Sequence, residues 1–478
     1  MTNSTQKAHV VILGAGPAGV GAAWRLALKN VARVTVIEAA DRVGGNAGSF
    51  ELEGLRVDYG SHRLHPACEP HILADLRQLL GDDLLDRPRH GRIRLGGRWI
   101  HFPLKPVDLL LRLPKPFAFG VATDMARKLL PAQNHHEETF ATVLEKGLGR
   151  TICREFYFPY ARKLWGLEPE ALAVIQAKRR VSGSSLGKLV KKVTSQIPGL
   201  KPPGAGRFFY PRRGYGQICE RIAEAAQSAG AEFRYNTRVT GITRDGSRVT
   251  GVQLQNSSGG QETLSADIVW STLPISLITR GMNPAPPADV LSAAESLDYR
   301  GMILIYLILG TDQFSEYDAH YFPEAHIPIS RMSEPKNYCV SPEPRGKTIL
   351  CAELPADPTS PEWAMSNDEL GKLFLRALEL CGIPAKAPVL RVESRKLKQA
   401  YPMYRRGYEE KFARMDDWLG TLEGLLTFGR QGLFAHDNTH HALYMAYSAV
   451  DCFREDGKFD RDRWAGYRKV FETHVVED

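Results

Sequence analysis

The stretch HVVILGAGPAGVGAAWRL at the start of the chain constrains the fold more than any other segment. Val10 to Leu13 form an apolar run of strand length. Gly14, Ala15, Gly16, Pro17, Ala18 and Gly19 then fit G-x-G-x-x-G, and an apolar helical pattern follows from Val20 to Leu28. The next strand, RVTVIE, ends on Glu38, about 20 positions past the glycines, which is the order of a βαβ dinucleotide-binding unit. Gly14 permits the tight turn, Gly16 lets the backbone approach a pyrophosphate, and Gly19 lets helix pack on strand. Pro17 is tolerated because the first helical turn has no N–H partner to lose. The helix start then presents unpaired N–H groups to the anion, and Glu38 is placed to accept ribose hydroxyls and to repel a 2′-phosphate.

The 478 residues exceed one small core, so two or three domains are expected. A net charge of +8 suits anionic ligands, and no compact basic tail favours nucleic acid. The seven cysteines are scattered and none forms C-x-x-C, which reads as reduced thiols in a cytoplasmic protein with no metal site. The polar start MTNSTQKAH does not read as a signal peptide, and with no apolar run of about 18 residues no membrane span is expected.

A second glycine pair follows soon after the first loop, in DRVGGNAGS (41–49). A carboxylate followed by A-x-R-x-G-G resembles the second signature of the FAD family that includes amine oxidases, protoporphyrinogen oxidase and UDP-galactopyranose mutase. The resemblance implies FAD as cofactor, with this loop, Ala39 to Asn46, over the flavin diphosphate. Arg42 then adds charge, and Gly44 and Gly45 bring N–H groups close.

The expected fold is α/β: a discontinuous Rossmann-type FAD-binding domain with an inserted helical domain and an inserted mixed α+β substrate domain. The FAD-binding parts are 1–97, 204–280 and 419–478. The mainly helical insertion is 98–203, and the mixed insertion is 281–418. Strands are expected around Gly54 and the Gly96–Gly97 turn, through MILIYLIL (302–309) and through DIVWSTLP (267–274). Helices are expected over Gln217 to Gln227, in DELGKLFLRALELCG and from about His440 onward.

The pieces DYGSHRLHP, GGRWIHFPLKP, FYFPYARKLWGLEPEAL, AYPMYRRGYEE and GRQGLFAHDNTHHAL occur in the order of the UDP-galactopyranose-mutase-like branch, over most of the chain. The resemblance implies further cofactor contacts from Gly60, Ser61 and His62, from Val239 near adenine and from Thr272 near the diphosphate. It adds Gly429, Arg430, Asn438, His441, Ala442 and Leu443 around the flavin. His62 is expected to act at the flavin edge, and Arg405 on a substrate phosphate. His65, Trp165, Arg179, Tyr401 and Tyr404 are expected to line the substrate pocket.

The leading functional expectation is an FAD-dependent oxidoreductase moving hydride from a small-molecule or sugar-type substrate to flavin N5. The alternative is a non-redox pyranose–furanose mutase acting on a nucleotide sugar through reduced flavin. Against it, Ile303 stands where the mutase strand pattern after Arg300 carries a second arginine, and Gly183 or its neighbours where a helix arginine is expected. Burying a pyrophosphate without its cations costs on the order of several kcal/mol. Arg212, Arg213, Arg331, Arg405 and Arg406 offer a different anion site. A binding protein like the GDP-dissociation inhibitors shares the fold but has no need of the glycine loops.

Overall fold

The computed structural model describes residues 7–103, 112–127, 138–181, 206–339, 341 and 343–476, without the side chains of 179–181. Its centre is a five-stranded parallel sheet in the order Leu425–Thr427, Ile268–Ser271, His9–Leu13, Arg33–Ile37, Glu232–Arg234. Parallel strands are covered on both faces, so His9–Leu13 is buried at all five positions. Its side chains alternate between two cores. Val10 and Ile12 pack with the helices Pro17–Lys29, Gln217–Ser228 and Thr439–Asp451. Val11 and Leu13 pack with Ile242, Val249 and Val252 of a second sheet. That second sheet runs Gln261–Ser265, Arg248–Asn256, Thr237–Asp245, Met282–Asn283.

A seven-stranded sheet forms the other half of the molecule. Its order is Val389–Pro402, Tyr299–Leu309, Thr348–Ala356, Arg331–Ser333, Ala319–Tyr321, Gly91–Leu95, Arg98–Phe102. Tyr299–Leu309 lies between two antiparallel partners and is buried from Gly301 onward, which explains the unbroken apolar run of its sequence. The hairpin Gly91–Leu95/Arg98–Phe102 turns at Gly96 and Gly97, both at positive φ. It pairs with Ala319–Tyr321, so this sheet reaches across the boundary expected at 97. The helices Phe140–Leu148 and Phe158–Trp165 pack their apolar faces under the sheet, with Leu144, Leu164 and Trp165 against Leu304 and Tyr306. Thr139 caps the first of them, accepting the Thr142 N–H at 3.2 Å. The expected Gly183 position lies outside the described residues.

Candidate active site

The two glycine loops face one another. Gly14 has φ +95°, and a Cβ there would sit 2.7 Å from the Thr272 hydroxyl. A Cβ on Gly19 would lie 1.9 Å from the Gly14 carbonyl oxygen, so only glycine lets the helix pack on the strand. Gly16 differs: nothing lies within 4 Å of its missing Cβ. Its Cα is 3.5 Å from the Cβ position of Gly45 in the second loop, and the Gly44 N–H donates to the Ala15 carbonyl at 2.8 Å. The second loop therefore closes over the first, leaving a concave strip of backbone at the start of the helix Pro17–Lys29. Glu38 stands beside it, Oε2 accepting the Ala15 N–H at 2.7 Å and Oε1 the Ala40 N–H at 2.9 Å.

A cavity of about 550 Å³ runs from this strip towards the seven-stranded sheet. Its far wall is polar. Glu353, buried on its strand, accepts the Ser61 N–H at 2.8 Å through Oε1. Arg331 donates to the same oxygen from Nε at 3.0 Å and Nη2 at 2.8 Å. The Ser61 hydroxyl meets the Tyr338 hydroxyl at 2.6 Å, and Arg63 donates to Tyr338 at 3.2 Å and Tyr321 at 3.0 Å. These bonds hold the loop that carries His62, whose ring stacks on Tyr215 with centroids 5.2 Å apart. Burial, with Arg331 and then Arg430 nearby, pushes the His62 pKa down to about 3, so the imidazole is neutral. Tyr401 closes the wall, its ring edge-on to Trp165 and His436 and under the Arg430 guanidinium at 5.1 Å. Arg430 is fixed by donation to the Ala400 carbonyl at 3.0 Å.

Gly14, Gly16, Pro17, Ala18, Glu38, Gly45, Asn46, Ser61, His62, Thr272, Tyr401, Arg430, Asn438 and Ala442 all line the cavity. Gly19, Gly44 and Gly429 shape it from behind, through close backbone packing. Gly60, at φ +107°, lines a small recess beside His62.

Other expected residues stand elsewhere. Arg405 is not brought to the cavity: its Nε pairs with Asp298 at 2.6 Å, on a half-exposed surface. Tyr404 is buried against Tyr408 and Phe434, and its hydroxyl accepts the His436 N–H at 2.8 Å. Trp165 is core, one ring removed from the cavity. Arg42 lies over the Tyr59 ring and donates to its hydroxyl. Leu443 packs on Gly21, Val239 on the second core, and His65 accepts the Ala67 N–H. Ala39 is outside the lining, and His441 sits behind Asp437. Arg179 is on the helix Val174–Val181, its side chain outside the described part. Of the arginines offered as an anion site, Arg331 lines the cavity, whereas Arg212 pairs with Asp83.

Sequence reasoning passed over Glu353, Arg63, Arg89, Tyr160, Lys396, Lys398 and Asp437, all of which line the cavity. Glu353 left a signal, being a lone carboxylate inside the apolar strand TILCAELPA; such a group is retained where it has partners. Lys396 and Lys398 sit two apart on one strand and so share a face.

Gly16 open to the cavity, the paired glycine loops, the helix start and Glu38 together form a cradle that fits a dinucleotide, and the cavity continues past it with room for a ring system. The site is that of a dinucleotide-binding flavoprotein. The family model for flavin containing amine oxidoreductases matches residues 17–445, and the chain belongs to that family. It is an enzyme family of oxidoreductases, and FAD is the expected cofactor. The chain is 27% identical over 311 residues to a phytoene dehydrogenase of Streptomyces griseus, covering 58% of this chain and 57% of that protein. It is 27% identical over 395 residues to a D-amino acid dehydrogenase of Dechloromonas aromatica, covering 74% and 88%. The first curated relatives, this phytoene dehydrogenase, a hydroxycarotenoid desaturase and a protoporphyrinogen oxidase, are matched over only 57%, 56% and 53% of their lengths. A reduced UDP-galactopyranose mutase superposes with a TM-score of 0.78 over 93% of both chains at 21% identity, a likeness of fold. No helix among the described residues is long and apolar enough to cross a membrane.

Proposed function

We propose that this chain is an FAD-dependent oxidoreductase that takes hydride from a small-molecule or sugar-type substrate, with cofactor and substrate in one cavity. The observation that carries this reading is the continuity of that cavity: Gly16 and Glu38 line one end, His62, Arg331 and Tyr401 the other. Bound FAD supplies the hydride acceptor, its N5 atom. The chain supplies placement and field. The start of the helix Thr439–Asp451 and the Arg430 guanidinium bring positive potential to one wall of the cavity and would help to hold FAD and favour its anionic charge. Neutral His62 offers a nitrogen at the cavity without adding a charge. Tyr401 gives an aromatic face, and Arg331, fixed by Glu353, a cation for a polar or anionic substituent.

Relatives named as dehydrogenases, desaturases and oxidases support net oxidation. The mutase fold likeness supports the alternative, a redox-neutral ring isomerisation of a nucleotide sugar. Against that alternative, Arg300, the arginine kept from the mutase strand pattern, donates to the carbonyls of Leu164, Lys163 and Pro355. The test is anaerobic mixing of the oxidised holoprotein with amines, amino acids, sugar nucleotides and polyenes in turn. Bleaching of the flavin by one class, reversed by oxygen or a dye, supports the proposal. Turnover only with pre-reduced flavin, with no electrons consumed, would replace it with the mutase reading. Seven free cysteines fit a reducing, cytoplasmic setting.

A further inference from the structure

A buried group of side chains at the C-terminal edge of the cavity takes no part in this reading. Asp437 precedes the helix Thr439–Asp451, His441 lies in its first turn, and His474 follows the helix Arg461–Phe471. All three residues are buried. His474 Nδ1 is 3.0 Å from Asp437 Oδ2, and His441 Nδ1 is 4.0 Å from Asp437 Oδ1. The two imidazoles stack with centroids 4.1 Å apart, and His440 abuts His441 at the same separation. The structure assigns to Asp437, His441 and His474 a binding site for a divalent transition-metal ion of the zinc class, from one donor atom on each that lies within 4.8 Å of the other two.

Three arguments converge on this ligand class. The donor set is two imidazoles and one carboxylate, which selects zinc-like ions over calcium or magnesium, whose sites are built from oxygen. His474 Nε2 is buried and has no hydrogen-bond partner among the described residues, an arrangement that a coordinate bond would satisfy. Ligands held at about 2.0–2.2 Å from one ion stand closer together than 4.8 Å, so binding would turn the stacked His441 and His474 rings until a nitrogen of each points at the shared ion. Binding at His441 Nδ1 exchanges the 3.2 Å bond it accepts from the Asn438 N–H for a coordinate bond. Three protein ligands leave a fourth position to water, and Asp437 itself lines the cavity. His474 lies 37 residues beyond Asp437, so the ion would clip the C-terminal segment, including cavity-lining Val476, onto the cavity wall.

The experiment uses the full-length FAD-loaded protein, equilibrated with zinc chloride and dialysed into metal-free buffer. The expected result is one zinc retained per chain by elemental analysis, with a zinc-dependent rise in Tm. His474→Gln should lose both while keeping its FAD content and circular dichroism. Wild-type protein that keeps no zinc and shows no shift would overturn the site. So would His474→Gln and Asp437→Asn both holding zinc as well as wild type does, because the ion would then be bound elsewhere. Should His474→Gln fail to fold, the wild-type stoichiometry and Asp437→Asn still decide.

Discussion

Arg331 grips a single oxygen of Glu353, with Nε at 3.0 Å and Nη2 at 2.8 Å, and that oxygen also accepts the Ser61 N–H. One carboxylate thus ties two strands of the seven-stranded sheet to the loop that carries His62. Both side chains are largely buried, at 14% and 6% exposure. Removing one partner strands the other. Glu353→Gln should destabilise the protein by about 3–5 kcal/mol in denaturant titration, and a paired Arg331→Met, Glu353→Leu change by clearly less. Equal losses in the single and paired variants would mean that the ion pair is not what holds this wall.

The two central glycines of the first loop should fail differently. Gly19→Ala places a methyl 1.9 Å from the Gly14 carbonyl oxygen, so helix and strand must part. It should lower stability by about 1–3 kcal/mol or more, and FAD with it. Gly16→Ala meets nothing in the protein, so the apoprotein should keep its Tm while FAD affinity falls, because the methyl enters the cofactor's space. Equal FAD affinity in Gly16→Ala and wild type would move the diphosphate away from this loop.

His320 is buried among Trp99, Phe314 and Phe322, neither ring nitrogen has a hydrogen-bond partner among the described residues, and burial with Arg92 nearby holds its pKa well below 6.5. The unfolded chain therefore binds a proton that the folded chain refuses. Stability is full above about pH 6.5 and falls as pH drops below it, by about 1.4 kcal/mol per pH unit for such a group. His320→Phe should flatten the acid side of a stability–pH curve by close to one proton. An unchanged slope would show that His320 is charged in the fold.

His62 sits at about 3 and remains neutral near pH 7. The turnover–pH profile should carry no limb near 6.5 that His62→Asn abolishes. His62→Ala should alter flavin reactivity while FAD stays bound. A limb lost in His62→Asn would give His62 an acid–base role.

Tyr401 lines the cavity and Arg405 does not. Tyr401→Ala removes an aromatic face from the cavity and should reduce turnover about tenfold or more with FAD retained, as expected for a group that orients substrate. Arg405→Ala breaks a half-exposed pair with Asp298, worth about 0–1 kcal/mol, and should change turnover by less than about twofold. The reverse ranking would place the substrate outside the cavity.

The nucleotide-binding half was legible because its determinants are local. Gly14, Gly16, Gly19 and Glu38 lie within one βαβ unit, and their spacing alone requires the turn, the close approach and the packing. The far wall was not legible, because its parts come from distant strands: Ser61, Arg331 and Glu353 meet only once the seven-stranded sheet forms. Arg405 and Tyr404 misled for a related reason. They lie just past Tyr401, where the strand has ended at Pro402, and the turn that follows sends Tyr404 into the core and Arg405 to Asp298. The hairpin at Gly96 and Gly97 was clear from its glycines, but its partner strand, Ala319–Tyr321, was not.

The central claim is that the cavity between the glycine loops and His62 holds FAD. Its most direct test is the absorption spectrum of the purified protein before and after dithionite, with the cofactor quantified on denaturation. The account predicts a flavin spectrum that bleaches on reduction and one FAD released per chain. A colourless protein that cannot be reconstituted with FAD would contradict it.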